Sequence, residues 1–233
     1  MAATETAPAG TDGVPVTSSS EPEIVMQWKS KKNVHGLRSK LVQYQQGHSA
    51  EDAGWAWPEW AAAKSWPGRD LGRFLVARQG DIDKALRMLT RHVQWRVQDC
   101  AYFPSGLPPV QPVMSALETG KVCVAGRSKA GFPIAWVRAQ HHIVADTTPE
   151  QSEELVTFVI EQLVRASCVQ PTPEELPDRA LANQDLPGKF MAVVDMAEYG
   201  YANLDTGIVK ALLTVLSRNF PERMQKIYIL NEG

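Results

Sequence analysis

KFMAVVDMAEYGYANLDTGIVKALLTVLSRNFPERMQKIYILN, residues 189–231, decides how the rest of this chain is read. Its two ends, KFMAVVDM and KIYILN, are short apolar runs rich in β-branched and aromatic residues, the composition of strands. Between them Ile208, Leu212, Val215 and Leu216 recur at helical spacing across Asp205 to Arg218, which puts them on one face of a helix. Strand, helix, strand in this order is a βαβ unit with a right-handed crossover, so the two strands are predicted to be parallel.

Working upstream, the α/β pattern continues. VCVAG (122–126) and PIAWV (133–137) flank the turn-like RSKAGF and predict a hairpin. Thr147, Thr148 and Pro149 open a helix, because proline at the first helical turn loses no backbone bond. Leu155, Val156, Val159, Ile160 and Leu163 give that helix a stripe broad enough to cover a sheet. PTPEELPDRALANQDLPG (171–188) is a long Pro-rich excursion with no clear period. Before the hairpin, Pro104, Pro108, Pro109 and Pro112 interrupt regular structure and place a linker at 100–113.

Residues 37–99 read as a small helical unit. One helix runs from Asp70 to Arg78 with Leu71, Phe74 and Leu75 on one side, and Gly80 ends it because glycine takes a left-handed conformation without steric cost. Asp81 is a good N-cap for the next helix, whose stripe is Ile82, Leu86, Leu89, Val93 and Val97. Trp55, Trp57, Trp60 and Trp66 are spaced as wedges between packed helices. Lys29, Lys31, Lys32, Arg38 and Lys40 form an acid-free basic stretch, read as a solvated helix face or an attraction to anionic lipid. The Ala-, Ser-, Thr- and Pro-rich residues before it lack the apolar surface to offset ordering entropy, so 1–27 is a disordered tail. The predicted organisation is this tail, a helical region at 28–100 and an α/β domain at 114–233.

Composition removes several function classes. A net charge of -2 does not suit a surface built to neutralise nucleic-acid phosphates, so no nucleic-acid partner is predicted. Three scattered cysteines without a CxxC pair suggest neither a disulfide framework nor a zinc site, and point to a reducing compartment. No apolar run approaches the roughly 20 residues that cross a bilayer, and the first residues lack a signal peptide's basic start and apolar core. The chain therefore reads as cytoplasmic, with any membrane association peripheral.

The tests for enzyme chemistry fail. GRSKAGFP (126–133) has a phosphate loop's outer glycine spacing, but Phe132 and Pro133 stand where Lys and Ser/Thr would hold phosphate and magnesium. There is no GxSxG, HExxH or GxGxxG. His141 and His142 would face opposite sides of a strand and not share a metal, and Asp195 is a lone carboxylate at a strand end. Arg78 and Glu222 are the more interesting pair, since both fall at turns. A guanidinium fork suits phosphate oxygens and a carboxylate suits inositol hydroxyls, although the residue types alone favour surface ion pairs. No enzyme activity, cofactor or metal is predicted.

LGRFLVARQGDIDKALRMLTRHVQWR (71–96), GFPIAWVR, AVVDM, the Asn203-Leu204 step and NFPERMQKIYILN come in an order that resembles the CRAL-TRIO lipid-binding family, over roughly residues 67–233. The likeness is to its phosphatidylinositol-transfer branch. It implies an α/β fold: an N-terminal helical unit, then a mixed sheet with a parallel βαβ unit and covering helices, flooring an apolar cavity. It also implies a carrier that binds a phospholipid, most of all a phosphatidylinositol type, and moves it between membranes through transient surface contact.

By the same resemblance Arg78 matches the Arg of the family's RARK-like step and Glu222 the Glu of its PER motif, both headgroup contacts, with Arg223 in support. Gln79 stands where Lys is usual, and Phe190 and Ala192 stand where phosphatidylcholine-binding members carry hydroxyls, which argues against choline lipids. The family's gate follows the strand that here ends in IYILNEG, and its usual Asn-Ala-Pro is replaced by Asn231, Glu232 and Gly233. The resemblance therefore implies a domain whose C-terminal part is missing. Two alternatives stay open: a regulatory or protein-interaction module without ligand exchange, and an inactive truncated fragment.

Overall fold

The computed structural model describes residues 23–47, 55–100, 102–103, 106–169 and 188–232. The first 22 residues of the expected tail, most of the Pro-rich excursion and Gly233 lie outside the described residues.

Among the described residues, four α-helices build the N-terminal unit: α1 (Glu23–Trp28), α2 (Lys31–Gly47), α3 (Gly68–Val76) and α4 (Ile82–Gln98). Their core is Leu37, Leu41, Leu71, Phe74, Leu75 and Leu89. The tail read from sequence as 1–27 thus needs correcting at its end, since Glu23–Trp28 is helical. The physical reason is Trp28, whose ring seats against Gly80: a Cβ at Gly80 would lie 2.9 Å from the Trp28 Cδ1. Gly80 has φ +79° and its N–H donates to Leu75 O at 2.8 Å, the left-handed helix stop expected there. Asp81 caps α4 by accepting from Lys84 N at 2.9 Å. The tryptophans are wedges, as their spacing indicated. Trp57 meets Tyr44, Trp60 meets Phe103 and Trp66 meets Phe74, each near edge-to-face. The basic stretch is partly structural, because the Arg38 guanidinium donates to the Ala63 and Trp66 carbonyls.

After the short helix α5 (Met114–Glu118) comes a four-stranded sheet in the order β1 (Val122–Arg127), β2 (Pro133–Arg138), β3 (Phe190–Asp195), β4 (Met224–Leu230). β1 and β2 form the antiparallel hairpin. β2, β3 and β4 are parallel, as the strand–helix–strand order requires. Helix α6 (Pro149–Cys168) opens with a full capping box between Thr148 and Gln151. Helix α7 (Thr206–Asn219) opens on Asp205, which accepts from Gly207 N and Ile208 N.

α6 and α7 lie on the sheet with Val156, Ile160, Leu163 and Val215 packed against Ala135, Phe190 and Ala192. The register aligns Ala135, Ala192 and Ile227 in one row and Val137, Val194 and Ile229 in the next, so one sheet face is apolar. The helical unit joins this body through Trp95 on Phe220 and through a buried ion pair of Arg96 with Glu161.

Candidate functional site

Between the sheet and the two covering helices lies a hollow of about 310 Å³. Its floor includes Ala135, Ala192 and Val194, and its roof Val156, Ile160 and Leu212. The small Ala135 and Ala192 side chains leave the room, because a larger residue in that central row would fill it. Phe190 and Ala192, which bring no hydroxyl, line this hollow.

Where the strands end, its wall turns polar. Lys121, His142, Asn203 and Asp205 all line the hollow there. His142 Nε2 and Asp205 Oδ2 are 2.8 Å apart, and Lys121 Nζ and His142 Nδ1 are 3.5 Å apart. A carboxylate only accepts, so Nε2 carries the imidazole hydrogen and Nδ1 offers its lone pair to the ammonium. Asn203 holds the loop in place by donating to Gln140 O and His142 O, each at 2.9 Å. Partial burial pushes the Asp205 carboxyl upward, but bonds from His142, Ile208 and Gly207 outweigh it and hold the group below the usual carboxylate range. Burial pushes the Lys121 ammonium down, with Asp205 acting against that shift.

A second cleft, of about 660 Å³, opens between the helical unit, the C-terminal half of α6 and the turn before β4. Arg73, Arg96, Arg165 and Arg223 line it, against the two carboxylates Asp70 and Glu161. Asp70 pairs with Arg73 and Glu161 with Arg96, while the Arg96 guanidinium also lies 4.3 Å from the Phe103 ring centroid and 4.5 Å from that of Trp95. Arg223 has no ion-pair partner among the described residues. Burial pushes its guanidinium down to about 9, with Arg73 the foremost opposing cation, so it stays charged at neutral pH. It lies directly on Gly188, where a Cβ would come within 1.3 Å of Arg223 Nη1. The cleft and the apolar hollow are back to back: Val164 and Arg223 line the first, and their chain neighbours Leu163 and Met224 the second.

A third cleft, of about 640 Å³, runs between α4 and α7 and carries Arg78, Lys84, Arg87, Arg91 and Arg218. The structure therefore distributes the three residues singled out from sequence. Arg78 lines this third cleft and Arg223 the second, and exposed Glu222, with φ 57°, lines none of the three hollows.

Sequence reasoning missed the Lys121–His142–Asp205 chain and the arginine cluster. His141 and His142 do not sit on a strand. β2 ends at Arg138, and a 3-10 turn, Ala139–His141, sends His141 to the Thr119 carbonyl and His142 inward to Asp205. Asp205 had shown only as the start of a helix.

Fold and hollow together define an α/β protein with a sheltered apolar pocket and polar groups at its margin. Residues 117–232 match the family model of the CRAL/TRIO domain, and the chain belongs to the CRAL-TRIO family. It is 31% identical over 174 residues to the phosphatidylinositol transfer protein CSR1 of Eremothecium gossypii, taking in 70% of this chain and 36% of that protein. It is 27% identical over 157 residues to the CRAL-TRIO domain-containing protein C3H8.02 of Schizosaccharomyces pombe, taking in 65% of this chain and 32% of that protein. The chain thus spans about a third of the length of these curated relatives. The crystal structure of Sfh5 aligns with 91% of this chain and 72% of its own at 12% identity, with a TM-score of 0.49. Among the described residues, no helix is long and apolar enough to cross a membrane.

Proposed function

We propose that this chain binds a phospholipid of the phosphatidylinositol type and carries it between membranes, working in the cytoplasm through transient contact with membrane surfaces. The observation that carries the reading is the apolar hollow over the sheet, with the arginine cleft directly behind it. The relative named as a phosphatidylinositol transfer protein supports it. The division of labour we propose is a helical region at 28–100 and a lipid-binding domain at 114–233.

The physics of a carrier favours this arrangement. An acyl chain exposed to water costs about 0.8 kcal/mol per methylene, so it must stay enclosed in transit. A bilayer interior is as apolar as the hollow, so chain burial adds little preference for either, and selectivity has to come from the headgroup. Of Arg78, Glu222 and Arg223, the last is best placed for a headgroup phosphate: it is half-buried, has no carboxylate partner among the described residues and lines a cleft with Arg73 and Arg96. At about 310 Å³ the hollow has less than half the volume of either basic cleft. A two-chain lipid would extend beyond it along the open side between α7 and β4, where Val209, Leu213, Ile227 and Ile229 are already exposed. No covalent bond is made or broken in this cycle.

The test is transfer of fluorescent phosphatidylinositol and phosphatidylcholine between vesicles. Wild type should transfer the inositol lipid in preference, and Arg223→Gln should lower that transfer about tenfold, the equivalent of ~1.4 kcal/mol. Equal handling of both lipids, or no loss in Arg223→Gln, contradicts the assignment.

A further inference from the structure

We propose that the hollow also takes a second class of ligand, a single-chain amphiphile ending in a carboxylate, whose acid group docks on Lys121 at the His142–Asp205 end. The proposal rests on the reading above that the hollow holds lipid, and adds a ligand and an anchor at the end away from Arg223.

Lys121 is only 6% exposed, yet it borders a space that is apolar almost throughout. An ammonium has three N–H donors, and among the described residues that of Lys121 has one partner, the His142 Nδ1 at 3.5 Å. No carboxylate lies within ion-pair distance of it among the described residues. Asp205 attracts this buried cation only from beyond the imidazole, so most of its N–H donors are left without an acceptor, and an anionic oxygen arriving from the hollow would satisfy them.

The neighbouring groups fit that guest. Asp205 is the acid of the cluster, but its Oδ2 bonds to the Nε2 side of His142 while Lys121 is on the Nδ1 side, so the imidazole separates the two carboxylates. Asp205 is further occupied by the Gly207 and Ile208 amides. Asn203 has both amide hydrogens committed to carbonyls and its oxygen to the Gly200 amide, so it fixes the His142 loop and leaves the docking to Lys121. At about 310 Å³ the hollow has less than half the volume of either basic cleft, which suits one short chain better than two.

The test compares decanoic acid with decyl alcohol, which have the same chain and differ in charge, by calorimetric titration of the full chain at neutral pH. Wild type should bind the acid at least tenfold more tightly. Lys121→Met should erase the preference while keeping the affinity for the alcohol, which also reports that the hollow is intact, and Lys121→Arg should retain it. Ala192→Trp should remove binding of both. Equal affinity of wild type for acid and alcohol, or a preference that survives in Lys121→Met, overturns the anchor and leaves the hollow standing. Binding that survives Ala192→Trp overturns the location. Failure of wild type to bind either ligand overturns the lipid reading of the hollow itself, and this proposal with it. The wild-type comparison decides the matter even if the Lys121 substitutions lower stability.

Discussion

His92 shows how strongly a single environment can bias a titratable group in this fold. Its ring is buried among Trp66, Phe74 and Trp95, with centroids 5.7 to 6.2 Å away. Burial first, and then repulsion from Arg96, Arg223 and Arg73, drive its pKa well below the ordinary value, so the folded protein keeps it neutral. An unfolded histidine takes up its proton near pH 6.5, so below that pH the unfolded chain binds more protons than the folded one. Stability from this group is therefore complete above about pH 6.5 and falls by up to ~1.4 kcal/mol per unit as the pH drops below it. Urea midpoints measured from about pH 7.5 to 5.5 should show this acid loss in wild type and a shallower one in His92→Phe. Identical slopes in the two proteins would rule the explanation out. RHVQWR contains only part of the cause, Trp95 and Arg96; the rest lies on α3 and beside β4.

At the scale of elements, the junction between α4 and α6 depends on the Arg96–Glu161 pair, whose side chains are both nearly sealed from solvent. Glu161→Ala would leave the Arg96 charge buried beneath Trp95, Phe103 and Phe220 without its counter-ion. The expected loss is roughly 3–5 kcal/mol, read as a lower urea midpoint with an unchanged slope. A loss under about 1 kcal/mol would show that the aromatic rings alone hold the junction. The elements themselves were legible: the stripes of α4, α6 and α7 repeat within a turn or two, and the strand order made β2, β3 and β4 parallel. The partners were not. Lys121, His142 and Asp205 are 21 and 63 residues apart along the chain, and only the sheet and its crossovers bring them to one end of a hollow. Arg78 and Glu222 showed the converse, since residues placed alike at turns are separated here into different surroundings.

At the scale of the whole molecule, one sheet face and two helices enclose a hollow that two alanines keep open. On its open side β4 is the edge of the sheet, and Ile227, Tyr228, Ile229 and Leu230 are 39% to 55% exposed. Ile227 and Ile229 are on the helix-covered face, and with Val209 and Leu213 of α7 they form an apolar seam of the kind that meets another apolar phase, whether a bilayer or a second apolar surface. The most direct test of the central claim is mass spectrometry of the lipids retained by the full chain after exposure to mixed phosphatidylinositol and phosphatidylcholine vesicles and repurification. Wild type should retain a phospholipid enriched in the inositol type, and Ala192→Trp, its hollow filled, should retain almost none. A lipid-free wild type, or an Ala192→Trp protein that carries as much lipid as wild type, would contradict the claim that the space over the sheet is where this protein holds its guest.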